Sequence, residues 1–159
     1  MALFCGVGFG IFCSTQWSPF NLKNKRNIML NKNYMLSLEG KLLGYHIRLK
    51  ELHFSAKCMD IHKLTDEFDS ELLSFDDAIM ENLQPLPNFG VIGVGEINPE
   101  IPDAPDFKSV LLSVRGVLAD FKKQATEVMY SGATSIVDEF FATVNKYIYL
   151  VNIVEAPKD

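Results

Sequence analysis

The sequence predicts an all-α protein folded as a four-helix bundle, with a long crossover loop between the second and third helices. Three observations predict this fold. Apolar residues recur at intervals of three and four in four separate segments, which is the spacing of the buried face of a helix. Five of the seven prolines lie between residues 85 and 105, where they exclude a regular helix. No strand-rich or βαβ pattern competes with the helical one.

The first two predicted helices follow each other after a short turn. The first extends from about residue 33 to about residue 55, and its apolar stripe consists of Met35, Leu38, Leu42, Tyr45, Leu49 and Leu52. The second begins near Asp60, which we expect to cap its first turn. Its stripe consists of Ile61, Leu64, Phe68, Leu72, Phe75 and Ile79. These two stripes predict a helical hairpin with one buried face.

The third and fourth predicted helices form a second hairpin. The third begins at its expected cap, Asp106, and ends at Ser131–Gly132. Its apolar positions are Val110, Val114, Leu118, Phe121, Ala125 and Val128. Those of the fourth are Val137, Phe140, Phe141, Val144, Ile148 and Val151. Two hairpins joined by one long connection are typical of a ferritin-like bundle, whereas short loops throughout would favour a simple up-and-down bundle.

Charge is divided unevenly along the chain. The 159 residues carry a formal net charge of −5, but residues 1–32 alone carry +4, which leaves −9 for residues 33–159. We therefore divide the chain into a basic, flexible N-terminal arm over residues 1–32 and a four-helix bundle over residues 33–159. Because Met29 and Met35 stand near the start of the first helical stripe, an upstream extension of the reading frame is an alternative interpretation of the arm.

The basic arm is the part of the chain best suited to bind phosphate. Its positive residues are Lys23, Lys25, Arg26 and Lys32. We expect any DNA contacts to be made by these four residues. The acidic body repels nucleic acid on most of its faces, so the expected binding is weak.

The cysteines and the N-terminal apolar segment bear on location. Cys5, Cys13 and Cys58 form neither a CxxC pair nor an even set, so neither a disulfide framework nor a cysteine zinc site is indicated. The apolar segment over residues 2–12 is too short to span a bilayer, and no positive residue precedes it. We therefore expect a cytoplasmic protein with no membrane contact.

The candidate site is a set of histidines and acids spaced for one helix face. All three histidines lie within seventeen residues, and they are His46, His53 and His62. At about 100° per residue, four positions of the second helix share an arc of about 100°, and they are His62, Asp66, Asp77 and Glu81. Glu67 and Asp69 fall outside this arc, at about 140° and about 340°. An acid-rich, solvated helix face is the alternative interpretation of the same spacing.

The four positions form two pairs that are too far apart for one metal centre in a single chain. The pairs are His62 with Asp66 and Asp77 with Glu81, and their midpoints lie ~22 Å apart at ~1.5 Å per residue. Two such helices, packed antiparallel about a two-fold axis near residues 71 and 72, would bring the first pair of one chain to the second pair of the other. Imidazole and carboxylate ligands suit iron. We therefore predict two equivalent iron sites at a dimer interface, each completed by His53.

This arrangement of ligands resembles that of the Dps family, the mini-ferritins named as DNA-binding proteins from starved cells. The resemblance lies in the segment LKELHFSAKCMDIHKLTDEFDSELLSFDDAIMENL, which contains His, His-x3-Asp and Asp-x3-Glu in this order. The resemblance covers residues 33–155. It implies that one subunit supplies His53, His62 and Asp66, and that its two-fold partner supplies Asp77 and Glu81. The two histidines are closer together than is common in the family, and Phe54 follows the first of them where a Trp is common.

The resemblance also implies a hollow, dodecameric cage with iron sites at its two-fold interfaces. Such a cage oxidises Fe(II), with hydrogen peroxide as the expected oxidant, and mineralises Fe(III) inside, which protects against oxidative damage. Lys-rich N-terminal tails often hold DNA in this family. Two alternatives stay open on the same fold: a non-enzymatic ferritin-like cage, and a DNA-compacting or structural assembly protein. His46 is either a group that supports the iron ligands or binds iron as it enters, or a hydrogen-bonded member of a packed face.

Overall fold

The computed structural model describes residues 30–86, 89–93, 95–128 and 130–157. The helices in these ranges are α1 (Lys32–Ser55), α2 (Met59–Leu83), α3 (Phe107–Glu127) and α4 (Ser131–Glu155). They pack against one another around one apolar core. The prediction of an all-α protein with four packed helices is therefore confirmed, while residues 1–29 of the predicted arm lie outside the described ranges. None of the described helices combines the length and the apolar composition that a bilayer crossing needs.

Two helix starts are fixed by capping side chains. Asn31 caps α1, because its side chain accepts a hydrogen bond from the Tyr34 backbone N–H at 3.0 Å. Asp106 caps α3 in the same way through the Ser109 N–H, at 2.7 Å. The prediction that Asp106 begins the third helix is therefore confirmed, as expected for a cap that depends only on neighbouring residues.

The predicted start of the second helix is wrong. α2 begins at Met59, and its N-cap residue is Cys58, whose side chain makes no capping hydrogen bond. Asp60 lies inside the first turn instead of before it. A carboxylate there still stabilises the helix, because it lies near the positive end of the helix dipole.

The predicted end of the third helix is also wrong. α3 ends at Glu127, and Ser131 and Gly132 are the first residues of α4. Gly132 lies close to α2: a Cβ at this position would lie 3.0 Å from the Asn82 side chain. Glycine therefore marks a close contact at the start of α4 rather than the end of α3.

Neighbouring helices of the bundle run antiparallel. α1 contacts α2 and α3, and α4 contacts the same two helices. Between α2 and α4, Phe68 contacts Tyr147 and Phe75 contacts Phe140, so these two helices run in opposite directions. Between α1 and α3, Tyr34 contacts Phe121 and Tyr45 contacts Ser113, so these two are antiparallel as well. α2 is also antiparallel to α1, since His53 contacts His62 and His46 contacts Asp69. α2 and α3 are therefore parallel to each other.

The connection between α2 and α3 lies along α1 over part of its length. The Glu100 N–H donates to the Gly40 carbonyl at 2.8 Å, and Arg48 donates through Nε to the Ala104 carbonyl at 2.8 Å. Residue numbers rise together in these two contacts, so the connection runs parallel to α1 here. They bring the start of α3 to the end of the bundle at which α1 ends.

Gly44 lies where the connection touches α1 closely. A Cβ on Gly44 would lie 2.0 Å from the Glu100 carbonyl oxygen, which is a backbone atom and cannot rotate away. We expect Gly44→Ala to lower the free energy of unfolding by about 2–3 kcal/mol, as overpacking does in well-packed cores. Urea unfolding measures this change.

Gly116→Ala is the matched control for this prediction. Among the described residues, no atom lies within 4 Å of a Cβ built on Gly116 in α3. This change is therefore expected to raise the free energy of unfolding by about 1 kcal/mol through helix propensity. Equal stability of Gly44→Ala and the parent would contradict the close contact.

Candidate metal centre between the first two helices

α1 and α2 face each other through three polar pairs as well as through apolar residues. These polar pairs are His53 with His62, His46 with Asp69, and Glu39 with Asp76. Their members are seven residues apart on each helix, so they recur on one side of the helix every ~10.5 Å. The contact between α1 and α2 is therefore polar at regular intervals.

The pair nearest the turn holds two imidazoles together. His53 Nδ1 lies 3.2 Å from the His62 carbonyl oxygen, and His62 Nδ1 lies 2.9 Å from the His53 carbonyl oxygen. The rings stack with their centroids 3.8 Å apart. A carbonyl oxygen only accepts hydrogen bonds, so Nδ1 of each ring carries a proton and Nε2 of each neutral ring keeps its lone pair. Metal-binding histidines commonly have this arrangement, with the other ring nitrogen held by a carbonyl or carboxylate.

Asp66 brings a carboxylate to the same end of the hairpin. It lies one helical turn after His62, and its Oδ1 lies 3.9 Å from His53 Nδ1. The Asp66 side chain is 57% exposed, so it has room to reorient toward an incoming cation. Three of the five predicted site residues are thus close together in one chain.

Asp77 and Glu81 lie farther along α2, and both are exposed. Asp77 borders an open groove of about 230 Å³, which Glu39 and Asp76 also line. In the described parts of a single chain, no three His, Cys, Asp or Glu side chains are placed to hold a metal ion together. The arrangement in which a second chain supplies Asp77 and Glu81 stays a prediction.

The middle polar pair contains a carboxylate that the sequence pattern did not identify. Asp69 is only 3% exposed, and its Oδ1 accepts a hydrogen bond from His46 Nδ1 at 2.5 Å. Its Oδ2 lies 2.9 Å from Lys50 Nζ. His46 is therefore a hydrogen-bonded member of the contact between α1 and α2, which is one of the interpretations that the sequence left open for this residue.

Asp69 was missed because the predicted ligand face was defined on the second helix alone. The hairpin carries a signal that could have identified it. Once the turn is placed near residues 57 and 58, positions whose numbers add up to 115 face each other. This rule pairs His46 with Asp69 directly.

The third polar pair consists of two carboxyl groups. Burial, followed by the hydrogen bond and the charge of Glu39, raises the pKa of Asp76 to about 8. Asp76 is therefore largely protonated at neutral pH, which lets the two groups face each other with less repulsion. Glu39 Oε2 and Asp76 Oδ1 are buried atoms with no hydrogen-bond partner among the described residues. This pair carries less negative charge than two isolated carboxylates would.

Most of the expected DNA contacts lie outside the described ranges. Three of the four belong to residues 1–29, and they are Lys23, Lys25 and Arg26. Lys32 is the first residue of α1, and its Nζ lies 2.8 Å from Glu96 Oε2. Hydrogen bonding to Lys32 lowers the pKa of Glu96. Lys32 therefore has a carboxylate partner within the chain.

The end of the hairpin near His53 combines the two kinds of group that bind first-row divalent metals in proteins. Neutral imidazoles offer nitrogen lone pairs, and a carboxylate offers oxygen. Comparison with protein-family models, curated proteins and solved structures finds no match to this chain.

Proposed function

We propose that this chain is a Dps-like ferroxidase and iron-storage protein. The observation that carries the proposal is the pair of His53 and His62, in which each Nδ1 proton is held by a carbonyl oxygen. Nε2 of each ring is then left for a metal, and the Asp66 carboxylate lies 3.9 Å from His53 Nδ1 at the same end of the hairpin. Fe(II) is the proposed substrate, because imidazole suits Fe(II) and carboxylates favour Fe(III).

The directions of the helices support a ferritin-like fold for this chain. α2 and α3 are parallel, and the connection between them passes along α1. A ferritin-like bundle has one such long crossover, whereas an up-and-down bundle has short loops between antiparallel consecutive helices.

A second copy of the chain would complete each iron site. The pair of Asp77 and Glu81 lies ~22 Å along α2 from the first ligand pair, which is too far for one centre. Leu73 lies between the two pairs, at about 20° from His62 around the helix, and it is 43% exposed. Packing Leu73 against its symmetry copy would give an antiparallel two-fold contact an apolar centre. Assembly of such dimers into a dodecamer belongs to the same proposal.

The proposed reaction transfers electrons from iron to hydrogen peroxide. Each Fe(II) gives up one electron, and peroxide takes the electrons of a pair of Fe(II) ions together with two protons. The O–O bond breaks and water leaves. His53 and His62 bind Fe(II), while the carboxylates of the site offset the added positive charge of Fe(III). The Fe(III) then enters the mineral inside the cage.

Iron oxidation by the full-length protein tests the proposal. The protein is mixed with Fe(II) in the absence of oxygen, hydrogen peroxide is added, and Fe(III) is followed by its absorption. We expect oxidation well above the rate in buffer, and a native mass that corresponds to a closed oligomer. A rate equal to that in buffer would rule out the ferroxidase.

A non-enzymatic assembly protein is the second candidate, and one observation favours it. Lys50 already contacts the carboxylates of Asp66 and Asp69, so part of the negative charge of this contact is offset without a metal. In that case the polar face of α2 orients a dimer, and residues 1–32 supply the weak nucleic-acid binding. A cytoplasmic location is proposed for either candidate.

A further inference from the structure

Lys50 holds a positive charge beside the candidate metal centre. It follows His46 by four residues and precedes His53 by three, so the three side chains share one side of α1. Its Nζ lies 2.9 Å from Asp69 Oδ2 and 3.4 Å from Asp66 Oδ1. The hydrogen bond with Asp69 raises the pKa of Lys50, so the side chain stays charged at neutral pH.

The two carboxylates hold Lys50 unequally. Asp69 is buried, and its other oxygen accepts a hydrogen bond from His46, so Asp69 is fixed in place. Asp66 is largely exposed and makes the longer contact with Lys50. Lys50 is therefore anchored on Asp69 and extends its charge toward Asp66, one turn after His62.

We propose that Lys50 competes with a divalent metal ion for Asp66 and thereby lowers the metal affinity of the centre. The inference rests on the proposed function for the role of Asp66 as a ligand. A metal ion on Asp66 would lie next to the ammonium group, and two positive charges at this distance repel strongly.

Metal binding therefore requires Lys50 to move away from Asp66. Its side chain is 42% exposed, and its four-carbon stem is flexible, so it can turn into solvent. Asp69 keeps its hydrogen bond to His46 when Lys50 leaves. The buried carboxylate is thus not left without a partner, which would be costly.

Removal of the Lys50 charge tests the inference. Co(II) is the probe, because it binds imidazole and carboxylate ligands and its affinity can be measured by calorimetry without any oxidation. We expect full-length Lys50→Met to bind Co(II) about fivefold to tenfold more tightly than the parent. Lys122→Met is the matched control: Lys122 is 41% exposed and pairs with Asp138 between α3 and α4, so its removal is expected to leave the affinity unchanged.

Two further variants separate charge from folding. Lys50→Gln loses the charge but keeps a hydrogen-bond donor for Asp69, and it is expected to bind Co(II) more tightly as well. Lys50→Arg keeps the charge and is expected to bind Co(II) as the parent does. If both neutral variants bind Co(II) no more tightly than the parent, the inference is wrong.

The same measurements distinguish failure of the inference from failure of the proposed function. A parent protein that binds no Co(II) and oxidises no Fe(II) would overturn the metal centre, and the inference with it. A parent that binds Co(II) and oxidises Fe(II), with neutral Lys50 variants of equal affinity, would overturn the inference alone.

Discussion

The Asp66→Asn variant is expected to oxidise Fe(II) with peroxide about 100-fold more slowly than the parent. The amide keeps the shape of the side chain but loses the negative charge that is proposed to bind Fe(II) and to stabilise Fe(III). Because Asp66 is exposed, the variant is expected to fold and assemble as the parent does. Stopped-flow absorption gives the initial rate, and native mass spectrometry gives the assembly.

Glu67→Gln is the matched control for this change. Glu67 is the next residue of α2 and is also exposed, but it lies about 100° away from Asp66 around the helix. We expect its removal to change the initial rate by less than about twofold, since an exposed charge is largely screened by solvent. An Asp66→Asn variant as fast as the parent would exclude Asp66 from the iron site. If that variant fails to assemble, the face of α2 that carries Asp66 is instead a dimer contact.

The Leu73→Glu variant is expected to dissociate into monomers and to lose peroxide-dependent iron oxidation. Leu73 lies near the centre of the proposed two-fold contact, so each contact would bury a new carboxylate from both chains without a partner for either. A monomer keeps His53 and His62 but lacks the carboxylates that the second chain is proposed to supply. Native mass and the rate of Fe(II) oxidation are measured on the same sample.

Leu112→Glu controls for the addition of a carboxylate to an exposed leucine. Leu112 lies on α3 and is 50% exposed, and its replacement is expected to preserve the two-fold dimer and iron oxidation. A Leu73→Glu variant that stays oligomeric would contradict a contact centred on this part of α2. A monomeric variant with full activity would show that one chain contains the whole site.

The four helices could be predicted because each apolar stripe repeats with the helical period over several turns. The cap of α3 at Asp106 could be predicted for a similar reason, since capping depends on residues within one turn. The boundary between α3 and α4 near Gly132 could not be predicted. A glycine after an apolar stripe is typical of a helix end, but here the glycine lies inside α4, close to the Asn82 side chain of another helix.

The candidate site could be predicted only as far as it depends on one helix. Spacing along α2 identifies His62 and Asp66 as neighbours on one face. It does not identify the contact of Asp69 with His46 and Lys50, because that contact depends on how α1 is positioned against α2. The spacing of residues along one helix also does not determine how two chains pack against each other.

The three polar pairs of α1 and α2 also determine how the two helices are aligned. Apolar positions that recur every seven residues would still meet if one helix slid along the other by a heptad, ~10.5 Å. The polar pairs, in contrast, would be separated by such a slide. A slide in one direction would set Glu39 against Asp69, and a slide in the other would set it against Leu83, so a buried carboxyl group would lose its partner. The polar pairs therefore select the one heptad alignment that brings His53 of α1 beside His62 of α2.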